Sequence, residues 1–176
     1  TTLNGSYGSK VFVEKGGYFL NNEMDDFSSK PGVPNMFGLI GGKANSIASQ
    51  KRMLSAMTPT IVEKNGKLSM IVGTPGGSTI ITSVLQTILN VYEFGMNIQE
   101  AVSVSRFHHQ WLPDNILLEP GLFDENIIKK LQEKEYEIRE EYNKIIGRVD
   151  AIHISENGII STGADQRGDD KAVNLY

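Results

Sequence analysis

One short stretch, Gly73-Thr-Pro-Gly-Gly-Ser-Thr79, crowds glycines and hydroxyls between an apolar run and a helical pattern. Glycines let a backbone approach a ligand closely, and unpaired N–H groups at a helix start favour negative charge. No Gly-Lys-Ser/Thr follows, so this is not a Walker A loop. Two donors there could hold an oxyanion; the alternative is a tight turn that binds nothing. Glu23-Met-Asp25-Asp26 sets three carboxylates in a loop able to take a cation, either a metal or an ammonium. The spacing is not that of a Ca²⁺ loop, and a solvated acidic loop is the plain alternative. His108 and His109 are adjacent and point apart on a helix or a strand, and His153 alternates with apolar residues. All three read as structural, and no metal is expected. Trp111 could anchor a subunit contact or pack in the core. Asp165-Gln-Arg167 and Asp169-Asp170 read as an ion-paired turn or a solvated tail. Thr1 could be a nucleophile whose own amine is the base, or simply where the sequence begins.

The elements that must position these groups are legible as patterns. Ser9–Val13 alternates like a strand, Glu14–Gly17 turns, and Tyr18–Leu20 returns. Asn21 to Gln50 is rich in Gly, Pro, Asn and Ser; an irregular segment of that length is often a binding loop or lid. Thr60–Val62 and Leu68–Val72 predict strands joined by Lys64-Asn-Gly66, a strong hairpin signal. Ile80, Ile81, Val84, Leu85, Ile88, Leu89 and Tyr92 recur at helical spacing, ending before Gly95. Asn97 caps a shorter helix through Val104, and Asp124 caps another with Ile127, Ile128 and Leu131 as its stripe. Val149–Ser155, Asn157-Gly158 and Ile159–Thr162 form a closing hairpin. Hairpins around a few helices predict an α+β fold with antiparallel sheet, not alternating βαβ units.

Composition narrows the classes. The 176 residues fit one domain or one subunit, 1–176. Hydrophobic residues are 39% and charged ones 22%, enough for a globular core. With 17 Lys and Arg against 21 Asp and Glu, the net charge of -4 argues against a nucleic-acid partner. The absence of cysteine excludes a disulfide scaffold, a thiolate metal site and a Cys nucleophile. No apolar run approaches a membrane span, and no signal peptide is visible.

Five blocks occur in one order: Thr2-Leu-Asn4-Gly-Ser-Tyr-Gly8, Leu20-Asn-Asn-Glu-Met-Asp-Asp-Phe-Ser28, Lys51-Arg52-Met-Leu-Ser55-Ala-Met-Thr-Pro-Thr60, Gly73-Thr-Pro-Gly-Gly-Ser78 and Arg106-Phe-His-His-Gln-Trp-Leu-Pro-Asp114. Together they resemble the small catalytic subunit of the γ-glutamyltransferases, or glutathione hydrolases. The resemblance implies an αββα N-terminal-nucleophile hydrolase sandwich, mainly antiparallel sheets flanked by helices. It implies a precursor that cleaves itself into a large and a small subunit, whose new N-terminal Thr attacks γ-glutamyl carbonyls. The large subunit is then the partner, a γ-glutamyl compound such as glutathione the substrate, and no cofactor is needed. In the family the nucleophile opens a Thr-Thr-His segment one strand before the block matched by Thr1–Asn4. The nucleophile is therefore expected upstream of this chain, and the chain alone is expected to be inactive, with an unpaired sheet edge liable to association.

By position, the resemblance makes Thr2 the hydroxyl that tunes the nucleophile, and Gly76 and Gly77 the oxyanion donors. Asn4, Glu23 and Asp26 would hold the substrate's α-amino group, which suits an ammonium's need for acceptors. Ser55 would bind the α-carboxylate, and Pro31 to Lys43, with Phe37, would form a lid that excludes water. Three residues depart from the family pattern. Ala56 replaces a frequent second Ser and removes a donor to a charged group, worth about 1.5–3 kcal/mol. Phe37 stands where Tyr is common, and Met53 where Pro is common. Family members in bacteria are periplasmic or secreted, so that location is expected here. A related acylase for a glutaryl-β-lactam or polyglutamyl substrate, and a non-catalytic binding domain, are the competing readings.

Overall fold

The computed structural model describes residues 3–140 and 145–173, and the chain divides into two units, Thr1–Ala56 and Met57–Tyr176. In the first unit, β1 (Phe12–Val13) and β2 (Tyr18–Phe19) form a two-stranded hairpin, pairing Phe12 with Phe19 and Val13 with Tyr18. Ring contacts of Phe19 with Phe12 and Tyr7, at 5.2 and 5.5 Å, cover it. Beyond it, 21–50 is irregular, as its composition predicts. It is held by a single turn over Glu23–Asp26, another over Lys43–Asn45, and isolated bridges Ser28 to Ser46 and Pro34 to Ile40.

The second unit carries the larger sheet. β3 (Thr60–Lys64) and β4 (Lys67–Gly73) turn through Asn65 and Gly66, whose φ values of 55° and 72° are those of the expected two-residue mirror turn. β8 (Asp150–Ile154) pairs antiparallel with β4, and β9 (Ile160–Gly163) with β8, giving the order β3-β4-β8-β9. Between them come α1 (Ile80–Tyr92) and α2 (Ile98–Ser103). Asn97 closes a full capping box on α2: its side chain accepts from the Glu100 N–H, and the Glu100 carboxylate accepts from the Asn97 N–H.

Alternation puts Met70, Val72 and Ala151 on one sheet face, where they meet Val84 of α1 and Ile98 and Val102 of α2. Each such side chain, wholly buried, contributes about 1.5–3 kcal/mol. α1 is less one-sided than its pattern suggests: Val84 is buried, but Ile81 and Leu85 are exposed.

A three-stranded sheet departs from the antiparallel expectation. β5 (Phe107–His108) pairs antiparallel with β6 (Ile116–Leu118), but β6 pairs parallel with β7 (Ile138–Glu140). α3 (Glu125–Gln132), capped by Asp124 as expected, makes the crossover. One βαβ unit thus sits in an α+β fold whose other strand pairs, among the described residues, are antiparallel. A parallel pair needs a long connection, and 119–137 supplies it.

Candidate active site

In the first unit the acidic turn has a distinctive environment. Glu23 is 9% exposed, and among the described residues its Oε1 has no hydrogen-bond partner. The side-chain nitrogen of Asn4 is likewise buried and unpartnered. Such orphaned groups cost free energy unless something fills them. Desolvation, a hydrogen bond to Glu23 and the charges of Glu23 and Asp25 push the Asp26 carboxyl up to about 6. The Glu23 oxygen and the Asp26 carboxyl can accept from a cation, whereas the Asn4 nitrogen is a donor and needs an acceptor. Among the described residues no three acidic or histidine side chains converge on a metal position.

Two asparagines the motifs did not single out hold this unit's site residues. Asn22 Oδ1 accepts the Gly5 N–H at 3.0 Å, tying the Asn4 segment to the turn. Asn45 Nδ2 donates to the Asp26 carbonyl at 2.7 Å while its Oδ1 accepts the Leu54 N–H at 3.0 Å, so it links Asp26 to the stretch that ends in Ser55. Asn is frequent in loops, and only the fold shows which amides bridge. Ser55 itself is exposed. Phe37 is half-buried in a turn that Asn35 organises by accepting the Phe37 and Leu39 N–H groups, each at 3.0 Å. Thr2 lies outside the described residues.

In the second unit, Gly76 and Gly77 sit where β4 leads into α1. Gly76 has φ 146°, and a Cβ there would meet Thr79 Oγ1 at 2.6 Å and Gly147 Cα at 3.3 Å, so only glycine fits. Thr79 donates to the Gly76 carbonyl from both its N–H, at 3.1 Å, and its hydroxyl, at 2.9 Å. No described residue accepts the N–H of Gly76 or Gly77. The two N–H groups are consecutive in the chain, and an oxyanion needs donors of this kind.

Behind this turn runs the strap Ile146–Val149, fixed by a buried ion quartet. Arg106 and Asp165 are each 1% exposed and Glu119 7%. Arg106 Nη2 meets Asp165 at 2.8 Å, Arg167 Nη1 meets Asp165 at 2.9 Å, and Arg167 Nη2 meets Glu119 at 2.5 Å. Arg106 Nη1 donates to the Ile146 carbonyl and Glu119 accepts the Ile146 N–H. Burial pushes the Asp165 carboxyl up, but the N–H groups of Arg167 and Val149 and the Arg106 guanidinium outweigh it and hold it below the usual range. Burial, then the charge of Arg167, pushes Arg106 down. Asp165 and Arg167 are thus an interior ion pair, not a solvated tail.

His108 and His153 pack against their neighbours, while His109 meets the exposed Asp114 at 3.0 Å. His108 is buried, with Thr82 at 2.8 Å and Gln110 at 2.9 Å on its two ring nitrogens. His153 stacks edge-on to Tyr92 at 6.1 Å. Trp111 is 75% exposed, which removes core packing from its two readings.

The family model for gamma-glutamyltranspeptidase matches residues 1–175. The chain belongs to the gamma-glutamyltranspeptidase family. It is 44% identical over 175 residues to the glutathione hydrolase proenzyme of Escherichia coli K12, covering 99% of this chain and 30% of that protein. To the glutathione hydrolase proenzyme of Pseudomonas aeruginosa it is 42% identical over 169 residues, 95% of this chain and 30% of that protein. The chain therefore spans about a third of the length of these relatives. The crystal structure of a T380A mutant of the Helicobacter pylori gamma-glutamyltranspeptidase superimposes with a TM-score of 0.89 at 47% identity, covering 96% of this chain and 91% of that one. The N-terminal-nucleophile hydrolase fold expected from the gamma-glutamyltranspeptidase resemblance is the fold this chain has.

Proposed function

We propose that this chain is the small catalytic subunit of an enzyme that transfers γ-glutamyl groups from glutathione or other γ-glutamyl amides to water or an amine. The observation that carries the reading is the buried Glu23 acceptor, unpaired among the described residues, beside the raised Asp26 carboxyl. An α-ammonium supplies three donors and a charge, and relieves both. Asn4 joins this head-group site, and Ser55 serves the α-carboxylate. Ala56 supplies no second hydroxyl there. The turn with Phe37 acts as a lid without a phenolic latch.

The chemistry is acyl transfer. A threonine hydroxyl, expected on a Thr-Thr-His segment preceding residue 1 in the complete enzyme, attacks the γ-carbonyl carbon, and its proton passes to that threonine's own amine. Thr2 takes the part of the family's second threonine, which tunes the nucleophile. The carbonyl electrons become an oxyanion facing the Gly76 and Gly77 N–H groups, worth several kcal/mol of barrier. The C–N bond then breaks and the leaving amine takes the proton. Water or an acceptor amine repeats the steps in reverse order to release the glutamyl group. The large subunit completes the enzyme, and the chain by itself is expected to be inactive. A periplasmic or secreted location is part of this reading, supported by the resemblance to bacterial family members.

Denaturing mass spectrometry of the complete gene product tests this. The expected result is two chains, the smaller heavier than 19.4 kDa, opening with Thr-Thr-His and acquiring one γ-glutamyl adduct with substrate. An unsplit product that takes no adduct would overturn the reading.

A further inference from the structure

The open N–H groups of Gly76 and Gly77 are aimed by carbonyls, and hydroxyls hold those carbonyls. In a peptide plane the C=O and the following N–H point in opposite directions and cannot turn independently. Whatever grips the Pro75 carbonyl therefore aims the Gly76 N–H, and whatever grips the Gly76 carbonyl aims the Gly77 N–H. Thr74 Oγ1 donates to the Pro75 carbonyl at 2.6 Å. The same hydroxyl accepts the Arg148 N–H at 2.7 Å, from the strap that Arg106 and Glu119 hold. With a lone pair occupied by that N–H, its proton is directed to Pro75. Thr79 grips the Gly76 carbonyl twice, through N–H and hydroxyl.

We infer that Thr74 is a positioning residue for the acyl-transfer reaction: through the Pro75 carbonyl it orients the Gly76 N–H toward the oxyanion, with Thr79 doing the same for Gly77. The inference rests on the oxyanion role proposed for the two glycines. The Thr79 backbone N–H survives any substitution, whereas Thr74 is the hydroxyl holding Pro75. Thr74 is therefore the more sensitive of the two.

The test is steady-state hydrolysis of γ-glutamyl-p-nitroanilide by the complete two-chain enzyme, with kcat expressed per titrated active site. Thr74→Val is expected to lower kcat and kcat/KM together by about tenfold, less than the ~10²–10³-fold cost of losing an oxyanion donor outright, because the N–H remains but is free to turn. KM is expected to stay put, and Thr74→Ser to restore kcat to within about twofold, since it returns the hydroxyl. A purely structural role would change the titrated fraction and leave kcat per site intact. If Thr74→Val does not mature, the two chains are expressed separately and reassembled before titration. Thr74→Val with unchanged kcat per site, or a change confined to KM, would overturn the inference and leave the functional reading standing. A wild-type enzyme that releases no p-nitroaniline would overturn both.

Discussion

Asp26 gives the residue scale its clearest pH signature. Its carboxyl is held near 6 by desolvation and by Glu23 and Asp25, against about 3.9 in an unfolded chain. A raised carboxyl favours the folded state while protonated. Its stabilising share is thus fully present below about pH 4 and lost as pH rises through about 6. Ammonium binding runs the other way, because it needs the carboxylate. KM for a γ-glutamyl substrate is expected to fall as pH rises through about 6, and Asp26→Asn to flatten that dependence while raising KM. A KM equally low at pH 5 and pH 8 in the wild type would count against ammonium recognition by this turn. Glu23 and Asp26 were legible in sequence as residue types at a spacing. The burial that orphans Glu23 was not, since it depends on Asn22 and Asn45 folding distant loop segments onto one turn.

At the scale of elements, hairpins with Asn-Gly turns and helices with Asn or Asp caps were legible because the physics that makes them is local. β5, β6 and β7 are only two or three residues each, and the partner of β6 lies across a helix, so no local pattern announces them. The ion quartet was hidden for the same reason: 59 positions separate Arg106 from Asp165. Removing one buried partner leaves an uncompensated charge, at about 3–5 kcal/mol. Asp165→Asn is expected to lower the thermal midpoint by roughly 6–20 °C at about 2–4 °C per kcal/mol. Because the native Asp165 pKa is depressed, its contribution is present above about pH 4 and lost as pH falls through the folded value. The wild-type advantage over the variant should therefore shrink in acid; an advantage that grows below pH 4 would contradict this. Gly147, at φ 72°, is the strap's weak point: a Cβ there would meet Ser83 Oγ at 2.6 Å and Thr74 Oγ1 at 3.0 Å. Gly147→Ala is expected to cost at least about 1–2 kcal/mol from the left-handed backbone alone. It should also lower kcat through Thr74, read as loss of activity per titrated site.

At the scale of the whole molecule, the sheet β3-β4-β8-β9 is apolar on both faces. Opposite the helices, Ile61, Ile71 and Ile152 lie side by side in register and are 69%, 40% and 38% exposed. A large apolar surface of this kind calls for a covering layer. The αββα arrangement expected from the family resemblance offers one. Residues 1–176 expressed alone are expected to self-associate in sedimentation, and to stop doing so when the large subunit is supplied. The claim that matters most is recognition of a γ-glutamyl head group. It is tested by comparing, in the complete enzyme, p-nitroaniline release from γ-glutamyl-p-nitroanilide and from glutaryl-p-nitroanilide, which lacks the α-amino group. Charge-assisted hydrogen bonds to that ammonium should favour the γ-glutamyl compound by at least about a hundredfold in kcat/KM. Equal rates, or faster release from the glutaryl compound, would contradict the assignment and point to an acylase of a different substrate class.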